Sequence, residues 1–155
     1  MKNRTPVTRW FDRVFVVCCS VLAISGLAQM PIFKRYYIAD IPGLGWLADF
    51  YFTHKTHYIF AAFLLALLAQ VLVLWFFRWR TDLKLSGGGM LRVGLLAGIV
   101  FTGILRMIKN QPGMSFSPGM TMIVDWAHLG LVLLLGVTAV ILAMVKRRAY
   151  ATWKK

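Results

Sequence analysis

Four apolar runs constrain this chain more than any other feature: 13–33 (RVFVVCCSVLAISGLAQMPIF), 57–77 (HYIFAAFLLALLAQVLVLWFF), 90–108 (MLRVGLLAGIVFTGILRMI) and 127–145 (AHLGLVLLLGVTAVILAMV). Each is about 20 residues long, the length at which a helix crosses the hydrocarbon core of a bilayer. A soluble domain is near half apolar and about a quarter charged; this chain of 155 residues is 59% hydrophobic, with only 5 acidic side chains. The expected fold is therefore all-α: an integral membrane four-helix bundle forming a single membrane domain over 1–155. Short connections favour antiparallel neighbours.

The first run follows basic residues, as a signal peptide's core does. It is too long for such a core and lacks a small-x-small cleavage site before Lys34, so it reads as a helix. The third run has Arg92 near one end and Arg106 near the other, where long basic side chains snorkel to the headgroups. Segment 34–56 is too apolar for a free loop. Its Tyr36, Tyr37, Trp46, Tyr51 and Phe52 suit an interfacial aromatic belt. Pro42, Gly43 and Gly45 mark a turn there, and a short interfacial helix over about 45–53 is expected to lead into the second span. SGGG at 86–89 reads as a flexible hairpin, and 109–122, with two Pro-Gly pairs, as a loop. No internal repeat is evident.

A net charge of +13 invites a nucleic-acid reading, but its distribution points to the membrane. Lys2, Arg4, Arg9 and Arg13 precede the first span. Arg78, Arg80, Lys84 and Arg92 surround the link between the second and third. Lys146, Arg147, Arg148, Lys154 and Lys155 follow the fourth. The opposite side holds Lys34, Arg35, Lys55, Arg106 and Lys109. The positive-inside rule then places both termini in the cytoplasm, with 34–56 and 109–126 on the outer face. The basic groups set orientation and meet anionic lipid headgroups; no nucleic-acid partner is expected.

Cys18 and Cys19 are adjacent in one helix, and there is no CxxC or CxxCH. Neither an iron–sulfur cluster nor covalently attached haem is expected in the chain. Both cysteines read as buried small apolar residues.

The three histidines, His54, His57 and His128, all fall on the outer side. His57 opens the second span and His128 the fourth, so orientation places them at similar depth on different helices. Two imidazoles on facing helices are what a six-coordinate haem needs. Ala61, Ala62 and Gly130 lie close by and are small enough to admit a flat macrocycle. Lys55, Arg106 and Lys109, with Arg35 as a further candidate, are available to haem propionates. The other reading of these histidines is as interfacial caps or proton-handling groups. Three histidines also suffice for zinc. The chain has no glutamate, and Asp49 and Asp125 are the nearby acids, which ranks a hydrolytic metal site low.

With these residues in view, the chain resembles the di-haem cytochrome b subunits of membrane formate dehydrogenases and nickel–iron hydrogenases. The marks are Arg9 and Ser25-Gly26 in the first span, His57 followed by Ala61 in the second, Thr102-Gly103 in the third and His128 in the fourth. Asp12 stands where the family has a helix 1 histidine, and Leu142 at about the place of a second helix 4 histidine. That pair holds the family's cytoplasmic-side haem; the pair matched by His57 and His128 holds the outer one. The resemblance thus implies one haem b at the outer side, ligated by His57 and His128. It also implies exchange of electrons with membrane quinone, and a partner carrying iron–sulfur clusters or several haems. His54 becomes a candidate quinone or proton site, and Asp12 a candidate proton-accessible acid or an ion-pair partner of Arg9 and Arg13. The resemblance further implies the inner membrane as the location. A cofactor-free membrane anchor stays open as the alternative. A proton or solute channel ranks lower, since Gln70 and Thr138 are the polar residues well inside the second and fourth spans.

Overall fold

The computed structural model describes residues 9–145 and 149–153. Lys2, Arg4, Lys146, Arg147, Arg148, Lys154 and Lys155, used above to orient the chain, lie outside them. Four helices are long and apolar enough to cross a membrane. They are α1 (Arg9–Ala28), α2 (Phe50–Leu74), α3 (Gly87–Ile108) and α4 (Pro118–Met144). The chain is a multi-pass membrane protein. Outward-facing Phe63, Leu72, Val137 and Ile141 are exposed, as side chains solvated by lipid are, while the helical backbone satisfies its own polar groups.

Contacts among the described residues group into two compact units, 9–81 and 82–145 with 149–153. The first is the hairpin of α1 and α2. Between them the chain makes a short helical turn (Ile32–Arg35) and two 3₁₀ turns (Ile38–Asp40, Gly45–Ala48). The expected helix over 45–53 is thus a 3₁₀ turn followed directly by α2. The switch falls at Asp49, whose carboxylate accepts from Phe52 N–H at 2.9 Å. This N-cap lets α2 start at Phe50, seven residues before the predicted span. Gly43 (φ 89°) makes the turn between the 3₁₀ segments, where an L side chain would be strained. α2 ends in a π-helical turn, Trp75–Trp79, closed by Arg80 N–H on the Trp75 carbonyl. Ser25 and Thr53 are almost fully buried between the helices, with Cys18 and Leu64. Cys18 donates its thiol to the Phe60 carbonyl at 3.3 Å. Cys19, expected to be buried as well, is only half-buried, because the next residue on a helix points about 100° away.

The second unit is the hairpin of α3 and α4, closed by a two-stranded antiparallel sheet of β1 (Leu83–Leu85) and β2 (Ala151–Trp153). SGGG is not a flexible hairpin. Ser86 caps α3 by accepting from Gly89 N–H at 2.9 Å, and the glycines form the first turn. Gly89 is required, since a Cβ there would overlap the backbone carbonyl of Tyr150. Arg92 does not snorkel to the surface. It is 5% exposed, donates to the Gly88 and Ala149 carbonyls at 3.0 and 3.3 Å, and lies 3.6 Å over the Tyr150 ring. Residues 118–122, expected to be loop, are helical: Ser117 is the N-cap and Pro118 the N1 residue of α4, where a missing N–H and a fixed φ favour a helix start. Small residues on α3 let α4 approach. A Cβ at Gly98 would stand 3.1 Å from Leu131, and one at Gly88 2.9 Å from Leu142. The place matched to the family's second histidine is thus a leucine packed on glycine.

Candidate functional site

α2 and α4 begin before the apolar runs do, so neither histidine sits at a helix start. His57 lies seven residues beyond the start of α2 and His128 ten beyond the start of α4 (57 − 50 and 128 − 118). At 1.5 Å per residue these are about 10 and 15 Å along their helices.

In the first unit, Ser25-Gly26 on α1 faces His57 on α2. Ser25 Oγ lies 3.0 Å from His57 Nδ1 and donates to the Leu22 carbonyl at 3.3 Å. Gly26 leaves room for the ring: an added Cβ would sit 3.2 Å from His57 Cε1. One turn further along, Gln29 Nε2 donates to the Ser25 carbonyl at 3.3 Å, turning Gln29 Oε1 toward His54 Nδ1, also at 3.3 Å. His54 stacks on Phe50 with centroids 5.3 Å apart and meets Tyr58 edge-on at 4.6 Å. It is therefore held within the hairpin and does not simply face water.

The second unit repeats this arrangement. Thr102-Gly103 on α3 faces His128 on α4. Thr102 Oγ1 lies 2.9 Å from His128 Nδ1, with the Gly98 and Ile99 carbonyls at 2.8 and 3.1 Å. A Cβ on Gly103 would stand 3.5 Å from His128 Cε1. One turn on, Arg106 Nε donates to Asp125 Oδ1 at 2.8 Å, and Lys109 Nζ donates to both carboxylate oxygens at 2.9 and 2.8 Å. Arg106 and Lys109, expected as propionate partners, thus share one carboxylate, and the cluster keeps one net positive charge. Lys55 Nζ sits over Tyr51 at 5.1 Å, and Arg35 is exposed at the end of its helical turn. For Gly130, an added Cβ meets nothing within 4 Å, so its small size serves no contact among the described residues.

The direction of each hydroxyl–imidazole bond depends on which ring nitrogen carries the proton, and the carbonyls beside each hydroxyl favour Nδ1 as the protonated one. A hydroxyl has one proton, and Thr102 has backbone carbonyls within reach of it. Its lone pair is then left to accept Nδ1–H of His128. The same assignment serves Ser25 and His57. An imidazole protonated on Nδ1 carries its lone pair on Nε2, the tautomer in which Nε2 ligates a metal. Among the described residues no three His, Cys, Asp or Glu side chains come together as a metal cluster. Each unit holds a histidine with a hydroxyl at Nδ1, a donor set that suits haem iron.

A groove of 390 Å³ also opens in the first unit, lined by Val21, Ile24, Ser25, Trp46, Thr56 and Phe60. It is apolar apart from the Ser25 and Thr56 hydroxyls and the Trp46 indole.

The repeated geometry has a signature in the sequence. Ser-Gly-x-x-Gln at 25–29 matches Thr-Gly-x-x-Arg at 102–106, and His-x-x-His at 54–57 matches Asp-x-x-His at 125–128. The matched residues make matched contacts in the two units. No family model matches the chain, and no curated protein and no solved structure is significantly similar to it.

Proposed function

We propose that this chain is a membrane cytochrome b subunit of a respiratory redox complex, with one haem b bound between His57 and His128. One observation carries the reading: each unit presents one histidine, backed on Nδ1 by a buried hydroxyl and flanked by a glycine. Each helical hairpin would thus supply one imidazole to the haem, in a chain that this reading sets in the inner membrane with both termini cytoplasmic. When bound, haem supplies a one-electron carrier. The protein's part would be to fix both imidazoles and exclude water with apolar helix faces. Electrons pass between a partner at the outer face, carrying iron–sulfur clusters or several haems, and membrane quinone. The apolar groove beside Ser25 supports quinone access in the first unit, with His54 as the nearby proton-handling group. Asp12 and Leu142, at the places of the resembling family's other histidine pair, support a single haem; Leu142 is taken up in packing against Gly88.

The test is a reduced-minus-oxidised visible spectrum of the purified protein with a pyridine haemochrome assay. One b-type haem per chain, lost in His57→Ala and in His128→Ala, is the expected result. Two haems per chain refute the single-site assignment. A second reading is favoured by the same hydrogen bonds, since hydroxyl–imidazole pairs also join helices in lipid: a cofactor-free membrane anchor. A folded protein without haem, isolated under conditions that retain b-type haem, establishes that reading in place of the first.

A further inference from the structure

We infer that Ser25 and Thr102 are matched positioning residues for the two histidines: each accepts the Nδ1–H of its imidazole and so sets the tautomer, the ring plane and the donor strength of the Nε2 lone pair. The inference rests on the haem reading above and goes beyond it, because it assigns a role to residues that touch no cofactor.

Two features distinguish these hydroxyls from ordinary helix back-bonding. First, they are buried, at 1% and 8% exposure. Serine and threonine that bond only their own helix have no need of an imidazole opposite them. Second, the arrangement recurs with different connections. The pairs are 32 residues apart in the first unit and 26 in the second, so a common loop length does not generate the match. In each unit the hydroxyl contacts Nδ1 and the following glycine faces Cε1. Both contacts fall on the Nδ1–Cε1 edge of the ring, the edge turned toward the helix that carries the hydroxyl.

The chemical consequence follows from the direction of the bond. An acceptor on Nδ1–H makes the imidazole a stronger donor through Nε2. A stronger donor favours the ferric over the ferrous state and lowers the reduction potential. Thr102 holds the tighter geometry, at 2.9 Å with a carbonyl at 2.8 Å to take its proton, against 3.0 and 3.3 Å for Ser25. Its removal has the larger effect.

The experiment uses the full-length protein carrying Thr102→Val or Ser25→Ala, with Thr102→Ser and Ser25→Thr as conservative controls. Haem content, an equilibrium redox titration and the low-spin electron paramagnetic resonance signal are read. Expected are a higher midpoint potential and a shifted low-spin signal in the Val and Ala variants, larger for Thr102→Val, with both readouts restored in the hydroxyl-exchange variants. Loss of haem in the Val and Ala variants that the exchange variants recover supports the same role. Variants that keep haem with potential and signal unmoved overturn it, as does loss of haem in the exchange variants too. Absence of haem from the unsubstituted protein defeats the underlying reading and is seen before any variant is made.

Discussion

Gly26 and Gly103 occupy equivalent places, yet alanine at the two should change stability in opposite directions. At Gly26 the new Cβ would stand 3.2 Å from His57 Cε1 and 3.6 Å from Nδ1. Carbon–carbon contacts prefer 3.5–4.0 Å, so the overlap is roughly 0.3–0.8 Å. The ring relieves it by moving off α1, which lengthens the 3.0 Å bond to Ser25. Overpacking of this kind costs about 1–3 kcal/mol, and a weakened hydrogen bond about 1 kcal/mol more. Replacing glycine in a helix interior returns about 0.5–1 kcal/mol, so Gly26→Ala is net destabilising by about 1–3 kcal/mol. At Gly103 the new Cβ meets His128 Cε1 at 3.5 Å, an ordinary contact. There the helix gain of about 0.5–1 kcal/mol remains, and Gly103→Ala is neutral to stabilising. Unfolding in mixed micelles of dodecyl maltoside and increasing dodecyl sulfate, followed by far-ultraviolet circular dichroism, measures both. Equal shifts in the same direction, or a Gly26→Ala protein as stable as the parent, would refute the account of glycine as room for the imidazole.

Three further outcomes follow from the second unit. Asp125→Asn leaves Arg106 and Lys109 repelling each other across a neutral amide; with Asp125 about a third exposed, a loss of roughly 1–3 kcal/mol is expected, between exposed and buried pairs, and an unchanged melting temperature would exclude it. Gly89→Ala places a Cβ on the Tyr150 backbone carbonyl, which no side-chain rotation relieves. Hydrogen exchange should then show lost protection at 83–85 and 151–153, and full protection there contradicts the contact. Arg92→Lys keeps the charge but loses the planar stack on Tyr150, a cation–π contact worth about 0.5–2 kcal/mol; a melt matching the parent would show that the stack contributes nothing.

Much of this architecture is legible in one dimension because the bilayer is a simple solvent. Twenty apolar residues in succession have few other fates, so the existence and order of α1–α4 need no tertiary information. The helix starts were harder, for a local reason. Glycine and proline at 87–89 and 118 read as breakers, but Ser86 and Ser117 precede them as N-caps. After a cap, proline at N1 and glycines in the first turn begin a helix. The aromatic segment before α2 likewise hid its cap at Asp49, and so His57 stands further from its helix start than its place at the edge of the apolar run suggested.

The chemistry divides in the same way. Sequence alone determined which residues are available: three histidines, paired Ser-Gly and Thr-Gly steps, and few acids among many bases. It did not determine what each histidine touches. That depends on the register in which one helix lies against its neighbour, which is set by where Gly98 admits Leu131 and where Cys18 meets the Phe60 carbonyl. A shift of one residue rotates a helical side chain by about 100°, turning a hydroxyl that backs an imidazole into one that faces lipid. The repeated pairing of Ser25 with His57 and Thr102 with His128 is therefore a decision of tertiary packing, made twice from residues that the sequence only placed within reach.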